Sequence, residues 1–274
     1  MEASYSDGLA SRDANIVSDS RGPAGPDVRT CADARDLSER AAEATVATIA
    51  NAVTRHGRCS LVLSGGNTPR ALYSLLASST YRDQIPWSQV HVFWGDERYV
   101  PSDDAASNYR MARESLLEQV PLPFQNIHPM PTHFQLPEAA AHDYERTLRE
   151  QAGRQRPLFD LMLLGLGEDG HTASLFPRSP ALQETTRWVV AVTVPAEPPT
   201  RLTLTLPAIA AAARVFVLVS GTGKSDALTH VLSPKADPSD YPAAGLPSAR
   251  GIVTWWVDRD AARGLRDEAP PHTV

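Results

Sequence analysis

An imidazole and two carboxylates stand within four residues of one another at Glu168, Asp169 and His171, set among Gly165, Gly167 and Gly170. An imidazole takes up and returns a proton near neutral pH, and a neighbouring carboxylate can orient it, so the cluster suits general acid/base chemistry. The glycines let the backbone turn sharply and approach a ligand closely. Other loops carry different tools. Ser64-Gly65-Gly66-Asn67-Thr68 offers backbone N–H groups to an anion at a helix start, and Ser220-Gly221-Thr222-Gly223-Lys224 adds a lysine that can reach one. The second loop lacks the spacing of a nucleotide P-loop. Gly95-Asp96-Glu97-Arg98 sets three charges directly after an apolar run. There is no G-x-S-x-G elbow, neither Cys31 nor Cys59 lies in an activating setting, and no second histidine falls at a metal-ligand spacing from His171. Brought together, these loops would suit a small phosphorylated substrate and proton transfer at neutral pH.

The elements that must position them are strands. The nearly unbroken apolar run from Leu158 to Leu164 predicts a buried parallel strand ending at the acid/base cluster, and ligands of open α/β sheets sit at that carboxyl edge. Cys59 to Leu63, Val90 to Trp94 and Val215 to Val219 predict strands of the same kind, each delivering a polar loop. Apolar residues at Leu37, Ala41, Ala44, Thr48, Ile49, Ala52 and Val53 predict a helix from Ala32 to about Arg55, ended near Gly57. Ala71, Leu72, Leu75 and Leu76 mark a second helix. Ser102 reads as the cap of a third, from about Asp103 to Glu118, and Pro137 opens a fourth over Glu138 to Glu150.

The proline-rich stretch between them reads as a loop with a short strand at Ile127 and with His128 and His133 at the surface. Trp188 to Val194 and Leu202 to Leu206 have strand composition and are separated by Pro195, Pro198 and Pro199. Then come a short helical piece at Ala208 to Ala213, a helix through Ala227, Leu228, Val231 and Leu232, a strand from Ile252 to Val257, and a terminal helix from Asp258 to Leu265. Strands alternating with helices, and no linker wide enough to divide them, predict one doubly wound α/β domain over residues 27–265. Its sheet is expected to be single and mostly parallel, with helices on both faces in the Rossmann-like manner.

The chain has 274 residues, 42% hydrophobic and 21% charged, which is ample for one large core. A net charge of −6 without a local Lys/Arg cluster argues against nucleic-acid binding, and no apolar run is long enough for a membrane span. Two cysteines do not make a disulfide framework. Residues 1–26 are polar, carry Glu2, Asp7, Asp13 and Asp19 and show no signal pattern; they are expected to form a loose leader, and 266–274 a short tail. The expected location is the cytoplasm, the partner a small molecule rather than nucleic acid or membrane, and the state a monomer or small homo-oligomer.

Five motifs, in order, carry a resemblance. They are Leu63-Ser64-Gly65-Gly66-Asn67-Thr68-Pro69; Trp94-Gly95-Asp96-Glu97-Arg98 with Ser107-Asn108-Tyr109; Gly165 through Pro177; Pro199-Thr200-Arg201-Leu202-Thr203-Leu204-Thr205; and Gly221-Thr222-Gly223-Lys224. Together they resemble those of the 6-phosphogluconolactonases, within the glucosamine-6-phosphate isomerase/6-phosphogluconolactonase family. The resemblance implies hydrolysis of 6-phospho-D-glucono-1,5-lactone to 6-phosphogluconate, the second step of the oxidative pentose phosphate pathway, without cofactor or metal. It implies that His171 deprotonates the attacking water and later protonates the departing ring oxygen, with Asp169 or Asp96 orienting the imidazole. Arg98, Lys224 and the loop from Ser64 through Gly65, Gly66, Asn67 and Thr68 would hold the phosphate, with Arg201 a further candidate.

Two other readings compete. The isomerase/deaminase branch is similar but places a carboxylate five residues after the histidine, where this chain has Phe176, and its phosphate loop is a residue shorter. A non-catalytic sugar-phosphate sensor would need a DNA-binding unit, for which the acidic leader offers no helix-turn-helix.

Overall fold

The computed structural model describes residues 26–152, 157–247 and 252–267. In chain order the elements are β1 (Asp27–Cys31), α1 (Ala34–His56), β2 (Cys59–Leu63), α2 (Asn67–Leu76), β3 (Val90–Trp94), β4 (Asp96–Arg98), α3 (Asn108–Ser115) and α4 (Pro137–Ala152). They continue with β5 (Leu161–Gly165), β6 (Val189–Thr193), β7 (Thr200–Leu204), α5 (Leu206–Ala210), β8 (Val215–Val219), α6 (Ser225–Leu232), β9 (Val253–Asp258) and α7 (Arg263–Asp267).

Six strands form one sheet in the order β1-β9-β8-β5-β2-β3, every pair parallel. All five residues of β2 and all five of β8 are buried, which is why β8, and β2 apart from Ser60, read as apolar runs rather than alternating ones. The winding runs from β2 outward to β3, then returns to β5 on the other side of β2 and continues through β8 to β9, beside β1. The strand order therefore reverses between β2 and β5, and the crevice beyond their carboxyl ends is where such sheets bind ligands. Helix α1 is bounded as its sequence suggests: the Asp33 carboxylate accepts from the N–H groups of Arg35 and Asp36, and Gly57 ends the helix in the left-handed region at φ 74°. Its buried face is Leu37, Ser38, Ala41, Ala42, Thr45, Ile49 and Ala52.

A second sheet adds to this frame. Strands β4, β7 and β6 form a three-stranded antiparallel sheet packed against α4. The segment Asp96–Arg98, read from sequence as a polar strand end, is thus a short strand that bonds to Arg201–Thr203. The third helix is shorter than its apolar spacing suggests. It begins at Asn108, capped by Ser107, because residues 101–106 fold into turns in which the Asp104 side chain captures the Ala106 N–H at 2.7 Å. The terminal helix starts at Arg263 because Asp258 still belongs to β9. Ile127 makes a single parallel bridge to Val92. His128 is half-buried rather than on the surface, its ring stacked on Phe93. The expected leader, apart from residue 26, and most of the expected tail lie outside the described residues. Among the described residues no helix is long and apolar enough to cross a membrane.

Candidate active site

A cleft of about 550 Å³ opens at the carboxyl ends of β2 and β5 and is lined by residues from every loop that the sequence singled out. Ser64, Gly65, Gly66, Asp96, Arg98, Asp169, His171, Arg201 and Lys224 all border it. Asn67 and Thr68 do not; they form the first turn of α2, with Asn67 exposed.

The acid/base cluster is a tight turn. Gly167 N–H donates to the His171 carbonyl at 2.8 Å, Gly170 N–H donates to the Gly167 carbonyl at 3.2 Å, and the Thr172 hydroxyl donates to the Gly165 carbonyl at 2.9 Å. Within it His171 Nδ1 lies 2.6 Å from Asp169 Oδ1, which also accepts the His171 N–H at 3.1 Å. A carboxylate in that position fixes Nδ1 as the protonated nitrogen and leaves Nε2 as an acceptor. Partial burial alone would raise the Asp169 carboxyl, but the hydrogen bonds and charge of His171 outweigh it and hold Asp169 below its ordinary value. Phe176 stacks on the imidazole with centroids 4.0 Å apart. Gly167 lies beneath the pair: a Cβ there would stand 2.0 Å from His171 Nδ1.

The other candidate carboxylate is engaged elsewhere. Asp96 is buried and accepts the Ser174 hydroxyl at 2.8 Å and the Asn108 amide at 3.3 Å. Asn108 also donates to the Asp96 carbonyl at 3.0 Å and fills the space above Gly65, where a Cβ would meet its Oδ1 at 2.0 Å. Asp169, not Asp96, is the hydrogen-bond partner of His171.

Two guanidinium groups make the cationic wall. Arg98 and Arg201 are register partners across β4 and β7, which puts like charges side by side on one face of the small sheet. Arg98 donates to the Ala106 carbonyl at 2.7 Å, and its Nε is buried without a partner. Arg201, buried, donates to the Pro198 and Glu197 carbonyls at 2.6 and 3.2 Å. Burial first, then the neighbouring Arg98 charge, lowers the Arg201 pKa. Neither makes an ion pair with a carboxylate among the described residues. An anion is the ligand that relieves such an arrangement. Lys224 sits differently, with Nζ 3.8 Å from Glu168 Oε1.

The phosphate-type loop is held by a buried phenol. Ser64 N–H donates to the Tyr73 hydroxyl at 2.9 Å, and that hydroxyl donates to the Ser64 carbonyl at 3.0 Å. The Ser64 hydroxyl itself is buried at the cleft without a partner. The sequence did not mark Asn108 or Ser174 as parts of the site, and it did not show that Phe176 stacks on His171 or that Gly167 lies beneath the pair. All four lie inside the quoted motifs, yet only tertiary contact shows what they touch. Among the described residues no group of three or more His, Cys, Asp and Glu side chains is arranged to hold a metal ion.

Comparison with known proteins agrees with this architecture. Residues 32–255 match the family model described as glucosamine-6-phosphate isomerases/6-phosphogluconolactonase. A 6-phosphogluconolactonase of Synechocystis sp. is 44% identical over 245 residues, covering 88% of this chain and 99% of the relative. One of Mycobacterium tuberculosis is 45% identical over 237 residues, covering 84% and 94%. The solved structure of 6-phosphogluconolactonase from Trypanosoma cruzi superposes with a TM-score of 0.77 at 31% identity, over 88% of this chain and 97% of the other. This chain belongs to the glucosamine-6-phosphate isomerase/6-phosphogluconolactonase family.

Proposed function

We propose that the protein hydrolyses 6-phospho-D-glucono-1,5-lactone to 6-phospho-D-gluconate, as the names of its relatives suggest. The observation that carries the reading is the His171–Asp169 pair, 2.6 Å apart, in a cleft that also holds two guanidinium groups without carboxylate partners. Asp169 holds the imidazole with Nδ1 protonated, so Nε2 accepts a proton from water as its oxygen attacks the lactone carbonyl. The tetrahedral adduct collapses with cleavage of the bond from that carbon to the ring oxygen. The imidazolium returns its proton to the departing oxygen, and the new carboxylic acid ionises in solvent.

Arg98 and Arg201 hold the phosphate in this scheme, and Lys224, already beside Glu168, has the lesser part. Phe176 favours hydrolysis over isomerisation. An apolar ring stacked on His171 occupies the position where the isomerase resemblance expects a carboxylate for its proton relay.

The test is the rate of loss of freshly made lactone with wild type, with His171→Ala and with buffer alone, since the compound also opens spontaneously. Acceleration by wild type and its loss in the variant are expected, with proton transfer contributing about 10²–10⁴-fold. Wild type no faster than buffer, while still binding 6-phosphogluconate, would favour a sensor. Acceleration that survives in His171→Ala would discard the base.

A further inference from the structure

Glu97 stands beside the cleft but does not line it, and it is 2% exposed. Four donors converge on its carboxylate. Oε1 accepts the N–H groups of Arg98 and Asn108, each at 2.7 Å, while Oε2 accepts the Tyr109 N–H at 2.7 Å and the Ser107 hydroxyl at 3.2 Å. Two of the backbone donors are the first N–H groups of α3, which a helix cannot satisfy internally. A side chain from β4 therefore caps a helix that begins eleven positions later.

The consequences of that fastening reach the cleft at two points. It fixes the Ala106–Asn108 segment against β4, and the Ala106 carbonyl is the acceptor that steers the Arg98 guanidinium. It also fixes the start of Asn108, whose amide holds Asp96 and whose side chain packs on Gly65 in the anion loop. The carboxylate does not line the cleft; it sets where Arg98 and Asn108, which do, are placed.

We infer that Glu97 is a positioning residue for phosphate recognition, acting through Arg98 and Asn108; the inference rests on the proposed function. Replacing the carboxylate by an amide turns an NH₂ group toward donors and leaves buried N–H groups unpaired, so the 104–109 segment shifts and the Arg98 guanidinium with it. The loss falls on the phosphorylated end of the substrate rather than on the proton-transfer pair.

The experiment compares kcat/KM for 6-phosphogluconolactone with kcat/KM for unphosphorylated glucono-1,5-lactone in wild type, Glu97→Gln and Ser107→Ala. The ratio is expected to fall about tenfold in Glu97→Gln, the size of one lost charge-assisted hydrogen bond. In Ser107→Ala, which keeps the carboxylate and loses one donor and a cap, it should fall about two- to threefold. A role confined to folding lowers both substrates together and leaves the ratio alone. An unchanged ratio in either folded variant overturns the inference. If wild type does not turn over the phospholactone at all, the proposed function fails instead, and the inference is then judged by calorimetric binding of inorganic phosphate. A dissociation constant raised about tenfold in Glu97→Gln, or about two- to threefold in Ser107→Ala should Glu97→Gln not fold, would support it, and an unchanged one in the folded variant would overturn it.

Discussion

Gly167 has almost no freedom to change. A Cβ on Gly167 would lie 2.0 Å from His171 Nδ1 and 2.6 Å from Asp169 Oδ1, and the imidazole is already stacked against Phe176. The conflict is steric rather than conformational, because Gly167, unlike Gly170 at φ 82°, is not among the positive-φ glycines. Gly167→Ala is therefore expected to fold and to lower kcat about 10²-fold, the penalty of misplacing a catalytic group by about 1 Å. Steady-state rates on the phospholactone, read beside far-UV circular dichroism, check this. An unchanged kcat would mean that the pair is not the proton-transfer unit. His171 and Asp169 were legible from sequence because they are neighbours in one turn. The choice between Asp169 and Asp96 was not, since Asp96 finds its donor in Ser174, 78 positions away. For the same reason the sequence did not show the role of Glu97, three of whose four donors, on Ser107, Asn108 and Tyr109, lie across a loop of turns.

At the scale of elements, the buried strands were readable because a parallel strand covered on both faces is apolar along nearly its whole length, as β8 is throughout and β2 is apart from Ser60. The small sheet was not. Its β4 is three charged residues long, and its β6 and β7 are joined through Pro195, Pro198 and Pro199, so no local pattern reports that they pair or in which direction. Yet this sheet is what sets Arg98 against Arg201. Like charges in register repel unless an anion lies between them, so binding an anion should stabilise the folded protein. Inorganic phosphate at about 100 times its dissociation constant is expected to add about 2.7 kcal/mol, a rise in Tm of about 5–10 °C for a domain of this size. In Arg98→Ala the rise should fall below about half of that at the same phosphate concentration, because weaker binding reduces the linkage. Thermal scans with and without phosphate decide it. A full rise in the variant would move the anion site away from β4 and β7, toward Lys224.

For the whole molecule, the division of labour runs between the carboxyl edge of the sheet and its outer strand β3. The carboxyl edge carries the cleft, and the outer strand β3 carries a second set of titratable groups that the proposed chemistry does not use. His91, at the second position of β3, and His128 share an N–H···N contact of 3.1 Å between nearly parallel rings, with His128 stacked on Phe93. Burial pushes both imidazoles down, and the charges of His91 and Arg58 add to the fall at His128, which is lowered from 6.5 to about 4. The unfolded chain thus protonates His128 near pH 6.5 while the folded chain resists until about 4. More protons are bound by the unfolded state across that window, so the contribution of His128 to stability is lost as pH falls from 6.5 toward 4. His128→Gln can still hydrogen-bond to His91 but cannot titrate. Its urea midpoint should fall less than that of wild type between pH 7 and pH 4.5, with carboxylate titration common to both proteins. Turnover at pH 7 should stay within about twofold, because neither ring borders the cleft. Equal losses of stability in acid would show that this edge does not govern the pH response. A loss of turnover at neutral pH would show that the histidine pair and the cleft are coupled, with Tyr144, whose hydroxyl meets both the His128 carbonyl and the Trp94 backbone, as the side chain that joins them.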